Sequence, residues 1–159
     1  MKNQPNRNYK SDDVVMTPED LAIKLIEHFK PQGKGLEPCR GTGNIWNHLD
    51  NADWCEITEG KDFFDYSEHV DYIFTNPPWS QVRKFLLHSY ELADEIYMLF
   101  TINHLWTKAR LRDMKESGFG IKEICLFETP DNFPKLGFQV GMIHISKGYN
   151  GDIKLSEIK

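Results

Sequence analysis

The residues best placed to do chemistry are Asn76-Pro77-Pro78-Trp79, directly after the apolar run Asp71-Tyr72-Ile73-Phe74-Thr75. Tyr72, Ile73 and Phe74 suit a buried strand, and two prolines without backbone N–H groups cannot continue it. The strand stops at Asn76. The fixed φ angles of Pro77 and Pro78 then hold the Asn76 side-chain oxygen and the Pro77 carbonyl as rigid acceptors at its carboxyl end. Trp79 adds a flat ring. Two acceptors and an aromatic plate suit a planar group with an exocyclic NH2, such as a nucleobase lifted out of its stack. The lone pair of such an amine is delocalised into the ring. Alkylating it requires a more pyramidal nitrogen and stabilisation of the positive charge that grows there. Acceptors on the two amino hydrogens do both, and they bind more strongly as the nitrogen becomes cationic. The plain structural alternative is a turn started by Asn and stiffened by two prolines.

A second group of residues is glycine-bearing: Glu37-Pro38-Cys39-Arg40-Gly41-Thr42-Gly43, followed by Asn44. Lys34 to Pro38 reads as a short strand and Ile45 to Leu49 as a short helix, so the glycines lie in a strand-to-helix turn. There they let the backbone approach a ligand closely, and the new helix offers free N–H groups.

These turns need a frame, and the rest of the chain supplies it. Thr17-Pro18-Glu19-Asp20 reads as a helix start, with Thr as N-cap, Pro at the first helical position and acids in the first turn. Leu21, Ala22, Leu25, Ile26 and Phe29 then share one face, and Pro31 with Gly33 ends a helix of about 18 to 29. Trp54 to Ile57 reads as a strand with Glu56 near its end, and Phe63 with Phe64 as a brief extended segment after Asp62. Tyr72 to Thr75 is the next strand, Ser80 to Ala93 a helix, and Glu95 to Thr101 a continuously apolar strand. Leu105 to Ser117 is a basic helix stopped by Gly118; Ile121 to Phe127 and Gln139 to Ser146 are further strands, with an irregular loop from Thr129 to Gly137. Strands alternating with helices predict an α/β, doubly wound sheet that binds ligands at the carboxyl ends of its central strands. Glu37 to Gly43, Glu56, Asp62 and Asn76 all fall at or just after such ends.

Composition narrows the class. At 159 residues, 40% hydrophobic and 27% charged, the chain is one globular domain. We expect a flexible arm over 1–15 and a single domain over 16–159. Cys39, Cys55 and Cys125 show no CxxC spacing, so no disulfide framework or zinc site is suggested, and a reducing cytoplasm is the default compartment. No run approaches the roughly 18 apolar residues of a membrane span. The net charge of −5 means that any field for a nucleic-acid backbone is local. Candidates are Lys2, Arg7 and Lys10; Arg83 and Lys84; and Lys108, Arg110, Arg112 and Lys115. Solvated helix faces have the same composition.

The order Thr17-Pro18, then Glu37-Pro38-Cys39-Arg40-Gly41-Thr42-Gly43, then Asn76-Pro77-Pro78-Trp79 resembles S-adenosylmethionine-dependent amino-methyltransferases. It is most similar to the DNA N6-adenine class and its phage-type members, over roughly 16 to 146. The resemblance implies a Rossmann-like, seven-stranded methyltransferase sheet, mostly parallel with an antiparallel last strand, and S-adenosylmethionine as cofactor. It implies that Gly41 and Gly43, within the Glu37-Pro38-Cys39 turn, face the methionine portion of that cofactor, with Glu37 near its ammonium group and Thr17 and Pro18 as further contacts. It implies Glu56 as acceptor for the ribose hydroxyls, with Glu59 as backup. Asp62 and Phe63 would hold the adenine amine and ring, with Asp65 and Phe64 as the shifted alternative. Asn76, Pro77, Pro78 and Trp79 match the catalytic tetrapeptide. Two departures stand out. The Gly43 to Glu56 segment is short, and no target-recognition region follows the sheet, so specificity would come from loops, a partner subunit or self-association. The expected substrate is adenine N6 in DNA. RNA adenine or guanine N2, a protein glutamine amide, and a non-catalytic subunit of a larger complex are the alternatives. Trp79 tilts against glutamine, because a primary amide uses an indole face less fully than a base does.

Overall fold

The computed structural model describes residues 15–135 and 137–159. The expected arm over 1–15, with Lys2, Arg7 and Lys10, lies outside the described residues except for Val15. Three helices, α1 (Glu19–Phe29), α2 (Val82–Leu92) and α3 (Lys108–Glu116), accompany seven strands. The strands are β1 (Gly35–Glu37), β2 (Ala52–Trp54), β3 (Val70–Thr75), β4 (Ala93–Thr101), β5 (Phe119–Leu126), β6 (Val140–Lys147) and β7 (Lys154–Glu157). They form one sheet in the order β2-β1-β3-β4-β6-β5-β7.

The centre of the sheet follows from composition. β3, β4 and β6 are continuous apolar runs because both faces are covered: Ile73, Phe74, Ile96, Met98, Leu99, Phe100, Met142, Ile143 and Ile145 are all fully buried. β1, β2, β3 and β4 pair in parallel. β6 runs antiparallel to both β4 and β5, and β7 is parallel to β5. The sheet is thus mostly parallel with one antiparallel strand, as expected. That strand is β6, from the expected Gln139 to Ser146 segment, and it is not the last one. β7 follows it at the edge, where its largely exposed residues carry no apolar signal.

Register assigns the helices to the two faces. Tyr97 and Glu123 both pair with His144, and this face meets α1 through Phe29, whose ring lies 5.2 Å from Tyr97 and 5.9 Å from His144. Phe119 pairs with Lys147, three residues on and therefore on the opposite face, and it packs 4.8 Å from Tyr90 of α2. Arg83 of α2 donates to both carboxylate oxygens of Asp113 on α3, at 2.8 and 3.3 Å, which joins the two helices. Among the described residues, no helix is long and apolar enough to cross a membrane.

Three local expectations change. α1 begins at Glu19 with Pro18 in the cap position, and the Thr17 hydroxyl makes no cap bond; it is engaged elsewhere, as shown below. The strand expected over Trp54 to Ile57 stops at Trp54, because Glu56 accepts from the Thr58 N–H and opens a 3-10 turn over Ile57–Glu59. The extended segment expected at Phe63 and Phe64 is also a 3-10 turn, Phe63–Asp65, because the Asp62 carboxylate accepts from the Phe64 N–H at 2.9 Å. The crossover between β1 and β2 is a single 3-10 turn, Trp46–His48, which accounts for the short Gly43 to Glu56 spacing.

Candidate active site at the carboxyl ends of β1 and β3

β1 and β3 are neighbours, so their carboxyl ends bring the glycine turn and the Asn76 tetrapeptide side by side. Glu37, the last residue of β1, is fully buried. Its Oε1 accepts from the Thr75 hydroxyl at 2.5 Å and the Cys39 N–H at 2.9 Å, while its Oε2 has no partner. Burial, opposed by those two hydrogen bonds, pushes its carboxyl up to about 8. The same burial, with Glu37 nearby, raises the Cys39 thiol. Pro38 is buried and keeps the turn against the core.

Gly41 and Gly43 have φ of 54° and 92°, the left-handed region that a β-carbon disfavours. A β-carbon on Gly41 would also meet the Met16 sulfur at 2.6 Å. Glu56 spans the turn: one oxygen accepts from the Gly41 N–H at 2.7 Å, the other from the Thr58 hydroxyl at 2.9 Å and N–H at 3.2 Å. Burial alone would raise its carboxyl, but the Thr58 and Gly41 bonds and nearby Arg40 hold it below its ordinary value. Glu59, the backup acid, is bound by Arg40 at 2.6 Å. Arg40 also lies 3.9 Å over the Trp54 ring, with Lys61 3.8 Å from the same ring.

Asn76 is the node that joins the pieces. Its amide nitrogen donates to the Val15 carbonyl and the Thr17 hydroxyl, each at 3.1 Å. The Thr17 carbonyl in turn accepts from Asn44, just past the glycine turn, at 2.9 Å. This is where the Thr17 hydroxyl goes, and why it is not on the helix. Asn76 Oδ1 accepts from the Trp79 indole N–H at 3.2 Å, and that N–H is shared with the Leu99 carbonyl at 3.3 Å. Pro77 is buried and Pro78 half-buried; the Pro78 carbonyl accepts from the Gln81 N–H at 2.9 Å and starts the turn into α2.

Two aromatic residues sit deeper than a ligand plate would. Trp79 is 8% exposed and packs edge-on against Phe133 at 5.8 Å. Phe133 belongs to the β5–β6 loop, whose Asn132 donates to the Met16 carbonyl at 2.7 Å. Phe63 is buried in a stack on Phe85 at 5.1 Å, with His88 edge-on at 4.7 Å, and Phe64 rather than Phe63 reaches the surface. No motif in the sequence pointed to Asn44, Asn132 or Phe133. A polar residue at the end of the glycine turn was the one available signal, and it belonged to Asn44.

The site is closed. The cavity bounded by Val15, Met16, Thr17, Arg40, Asn44 and Asn76 holds about 20 Å³, room for roughly one water. A larger cavity of about 550 Å³ lies beside the first turn of α1, between Leu21, Lys24, Phe127, Pro130 and Ile158. It contains Pro18 but none of the residues from Glu37 to Trp79, so chemistry and not volume identifies the candidate site.

Of the expected basic residues, Arg83 is committed to Asp113, and Arg110 is partly buried beside Thr107. Lys84, Lys108, Arg112 and Lys115 are exposed, the last three on one face of α3 at helical spacing.

Solved structures that share this fold include several described as methyltransferases. A protein from Pyrococcus horikoshii, whose assignment as an RNA methyltransferase is itself provisional, aligns with a TM-score of 0.63 and 18% identity over 92% of this chain and 93% of that one. The M protein of the type I restriction enzyme EcoKI gives 0.64 and 15%, over 88% of this chain and 45% of its own. The 23S rRNA methyltransferase ErmE gives 0.58 and 11%, over 87% and 73%. The chain therefore spans nearly all of the first but less than half of the second. No family model and no curated protein matches the sequence. At these identities the likeness establishes the fold alone, the Rossmann-like sheet that these methyltransferase structures share.

Proposed function

We propose that the protein methylates the exocyclic amine of a nucleobase, with adenine N6 in DNA as the favoured target, using S-adenosylmethionine. The observation that carries this reading is the chain of hydrogen bonds from Asn44 through Thr17 to Asn76, which ties the glycine turn to the tetrapeptide at adjacent strand ends. The residues present fit the cofactor. Glu37 Oε2 is a buried acceptor without a partner, suited to an ammonium group, and the turn at Gly41 and Gly43 is free of β-carbons. Glu56 would exchange its Thr58 bonds for ribose hydroxyls, and Asp62 would exchange the Phe64 N–H for the adenine amine. A cavity of about 20 Å³ holds only a part of such a ligand, so the 15–17 segment would shift as it binds.

When bound, the cofactor supplies an electrophilic methyl group. Asn76 Oδ1 would hold the target amine, and the Pro77 carbonyl would hold its second hydrogen. Held there, the amine would be presented to that methyl group with its lone pair free, and its surplus proton would pass to water. Asn76 steadies the charge while this happens. Trp79 reaches a flipped base only if Phe133 withdraws, so the β5–β6 loop would move with substrate entry. Target choice would then rest on that loop, on a partner subunit or on a second copy of the chain.

RNA is the second reading, favoured by the Pyrococcus protein of similar length. A protein glutamine amide and a non-catalytic subunit are the others. Incubation with radiolabelled S-adenosylmethionine and, separately, DNA, RNA and total protein separates all four. Label in N6-methyladenine of DNA supports the proposal; label in RNA or protein reassigns the substrate. Cofactor binding with no transfer to any of them supports the non-catalytic subunit.

A further inference from the structure

We propose that His28, Glu123 and Cys125, with Ser156, form a binding site for one borderline divalent cation, best matched by zinc. The site lies on the α1-covered face of the β5–β7 edge, and neither the tetrapeptide nor the glycine turn contributes to it. His28 Nε2, a Glu123 carboxylate oxygen and Cys125 Sγ all lie within 4.8 Å of one another. They come from two elements: His28 from the last turn of α1, and Glu123 and Cys125 two residues apart on one face of β5. Ser156 of β7 pairs in register with Cys125 and supplies a fourth donor, its hydroxyl oxygen, at 2.5 Å from Glu123 and 3.5 Å from His28 Nε2.

Nitrogen, sulfur and carboxylate donors together are the set that zinc takes. Charge also fits. A Cys125 thiolate and the Glu123 carboxylate balance a dication, while His28 binds as neutral imidazole. Cys125 gives up its thiol proton to solvent as the metal–sulfur bond forms, and no electron is transferred. His28 Nε2 and Glu123 Oε1 stand 2.5 Å apart; tetrahedral zinc requires roughly 3.4 Å between two such ligands. The His28 side chain is 22% exposed at the helix end, which gives it freedom to move and gives the ion a way in. The Lys154 ammonium, 3.7 Å from Glu123, must turn outward, and its side chain is 65% exposed.

Two comparisons within the molecule sharpen the assignment. Glu95, His144 and Ser146 repeat the same Glu–His–Ser arrangement on β4 and β6, at 2.6 and 2.9 Å. Among the described residues that second cluster has no sulfur donor, and only the Cys125 cluster meets the geometry of a metal site. A serine nucleophile is excluded, because Ser156 and Glu123 both address Nε2 of His28, whereas a relay needs serine and acid on different ring nitrogens.

Cobalt(II), a spectroscopic stand-in for zinc, tests the site directly. Titration of the purified, reduced and chelator-treated protein is expected to give a near-ultraviolet sulfur-to-cobalt charge-transfer band that saturates at one equivalent. Zinc should bleach that band and raise the melting temperature. Cys125→Ala and His28→Gln should each lose the band, while Cys39→Ala and Cys55→Ala keep it. His28→Gln alters a partly exposed helix end and keeps the test decisive if Cys125→Ala fails to fold. Absence of the band with no melting shift in zinc, or a band lost in Cys39→Ala but kept in His28→Gln, overturns the proposal and leaves a hydrogen-bonded cluster that staples α1 to the sheet edge.

Discussion

Two parts of the molecule bury glutamates wholly or in part, and they treat them in opposite ways. On the α1-covered face, Glu95 is met by His144 and Ser146, and Glu123 by His28 and Ser156. Burial alone would raise both carboxyls, but these partners hold them below the ordinary value. At the carboxyl end of β1, Glu37 is buried more deeply, has only neutral donors and keeps one oxygen without a partner. A buried carboxylate without a cation is costly, so Glu37 keeps its proton until a cation meets it. On the paired face the carboxylates already have partners, and the Glu123 cluster would take a cation only by rearranging them. The β1 end keeps a buried acceptor that a cationic ligand would meet, which is the physical argument for the proposed cofactor contact there.

Asn76→Ala probes the open side of this contrast and carries the largest expected effect. It removes an acceptor whose bond to the amine strengthens with developing charge, so turnover should fall about 100-fold or more while cofactor affinity stays near that of the parent. The structure adds a complication. Asn76 also holds Val15, Thr17 and the Trp79 indole, so the same change should cost about 1–3 kcal/mol of stability. A melting curve alone therefore cannot separate catalysis from a turn. Single-turnover rates at a temperature where both proteins are folded can, and full activity in Asn76→Ala would end the mechanism.

Glu37→Gln comes next. The amide keeps an acceptor for Thr75 and Cys39 but carries no charge, so cofactor affinity should fall roughly 10- to 100-fold, the weight of one charge-assisted hydrogen bond. The pH dependence supplies a sign. The folded Glu37 carboxyl sits at about 8 against an ordinary 4.5, so the folded chain keeps a proton that the unfolded chain releases. The stability that Glu37 contributes is full below pH 4.5 and is lost as pH rises through 8. An ammonium ligand reverses this by expelling the proton, so affinity should increase by up to about tenfold per pH unit as pH rises toward 8. Calorimetry in buffers of different ionisation heat would detect the released proton. A flat profile shared with Glu37→Gln would show that no cation meets Glu37.

The contrast was only half legible in the sequence. The glycine turn, the tetrapeptide and α1 were readable because each is a local signal: a run of turn residues, a proline stop, a 3.6-residue apolar period. Trp79 looked like an exposed plate because its cover, Phe133, lies in a distant loop with no pattern of its own. Phe63 and Phe64 read as extended because an acid capping the next residue but one leaves no apolar period. The Glu–His–Ser clusters join residues up to 128 positions apart. Their one trace was an acid inside the apolar run Ile121 to Phe127, which marks a buried charge but not its partner.

His144→Ala tests the closed side. It leaves the part-buried Glu95 with Ser146 alone and opens space beside Phe29 and Tyr97. We expect a loss of about 1–3 kcal/mol in denaturant melts, with turnover per folded molecule unchanged. Changed turnover with unchanged stability would exchange the roles assigned to the two regions.

The smallest effect extends the contrast from acids to bases. Arg83 and Lys84 are neighbours in sequence, yet Arg83 is tied to Asp113 across the α2–α3 joint while Lys84 is exposed, as are Lys108, Arg112 and Lys115. A cation already in a pair contributes little to counterion release, because its partner competes with phosphate; an unpaired one contributes a slope of about 0.9 per contact on DNA. Replacing Lys108, Arg112 and Lys115 by Ala should therefore weaken DNA binding several-fold and flatten the dependence of log K on log salt by up to roughly 2.7, with the melting temperature little changed. Arg83→Ala should do the reverse, lowering the melting temperature and leaving the slope. Salt titrations of both variants on one duplex and on its single strand decide the matter. A slope unchanged by the triple replacement would mean that the exposed face of α3 is solvated surface, and that nucleic acid, if bound, approaches from the β5–β6 loop.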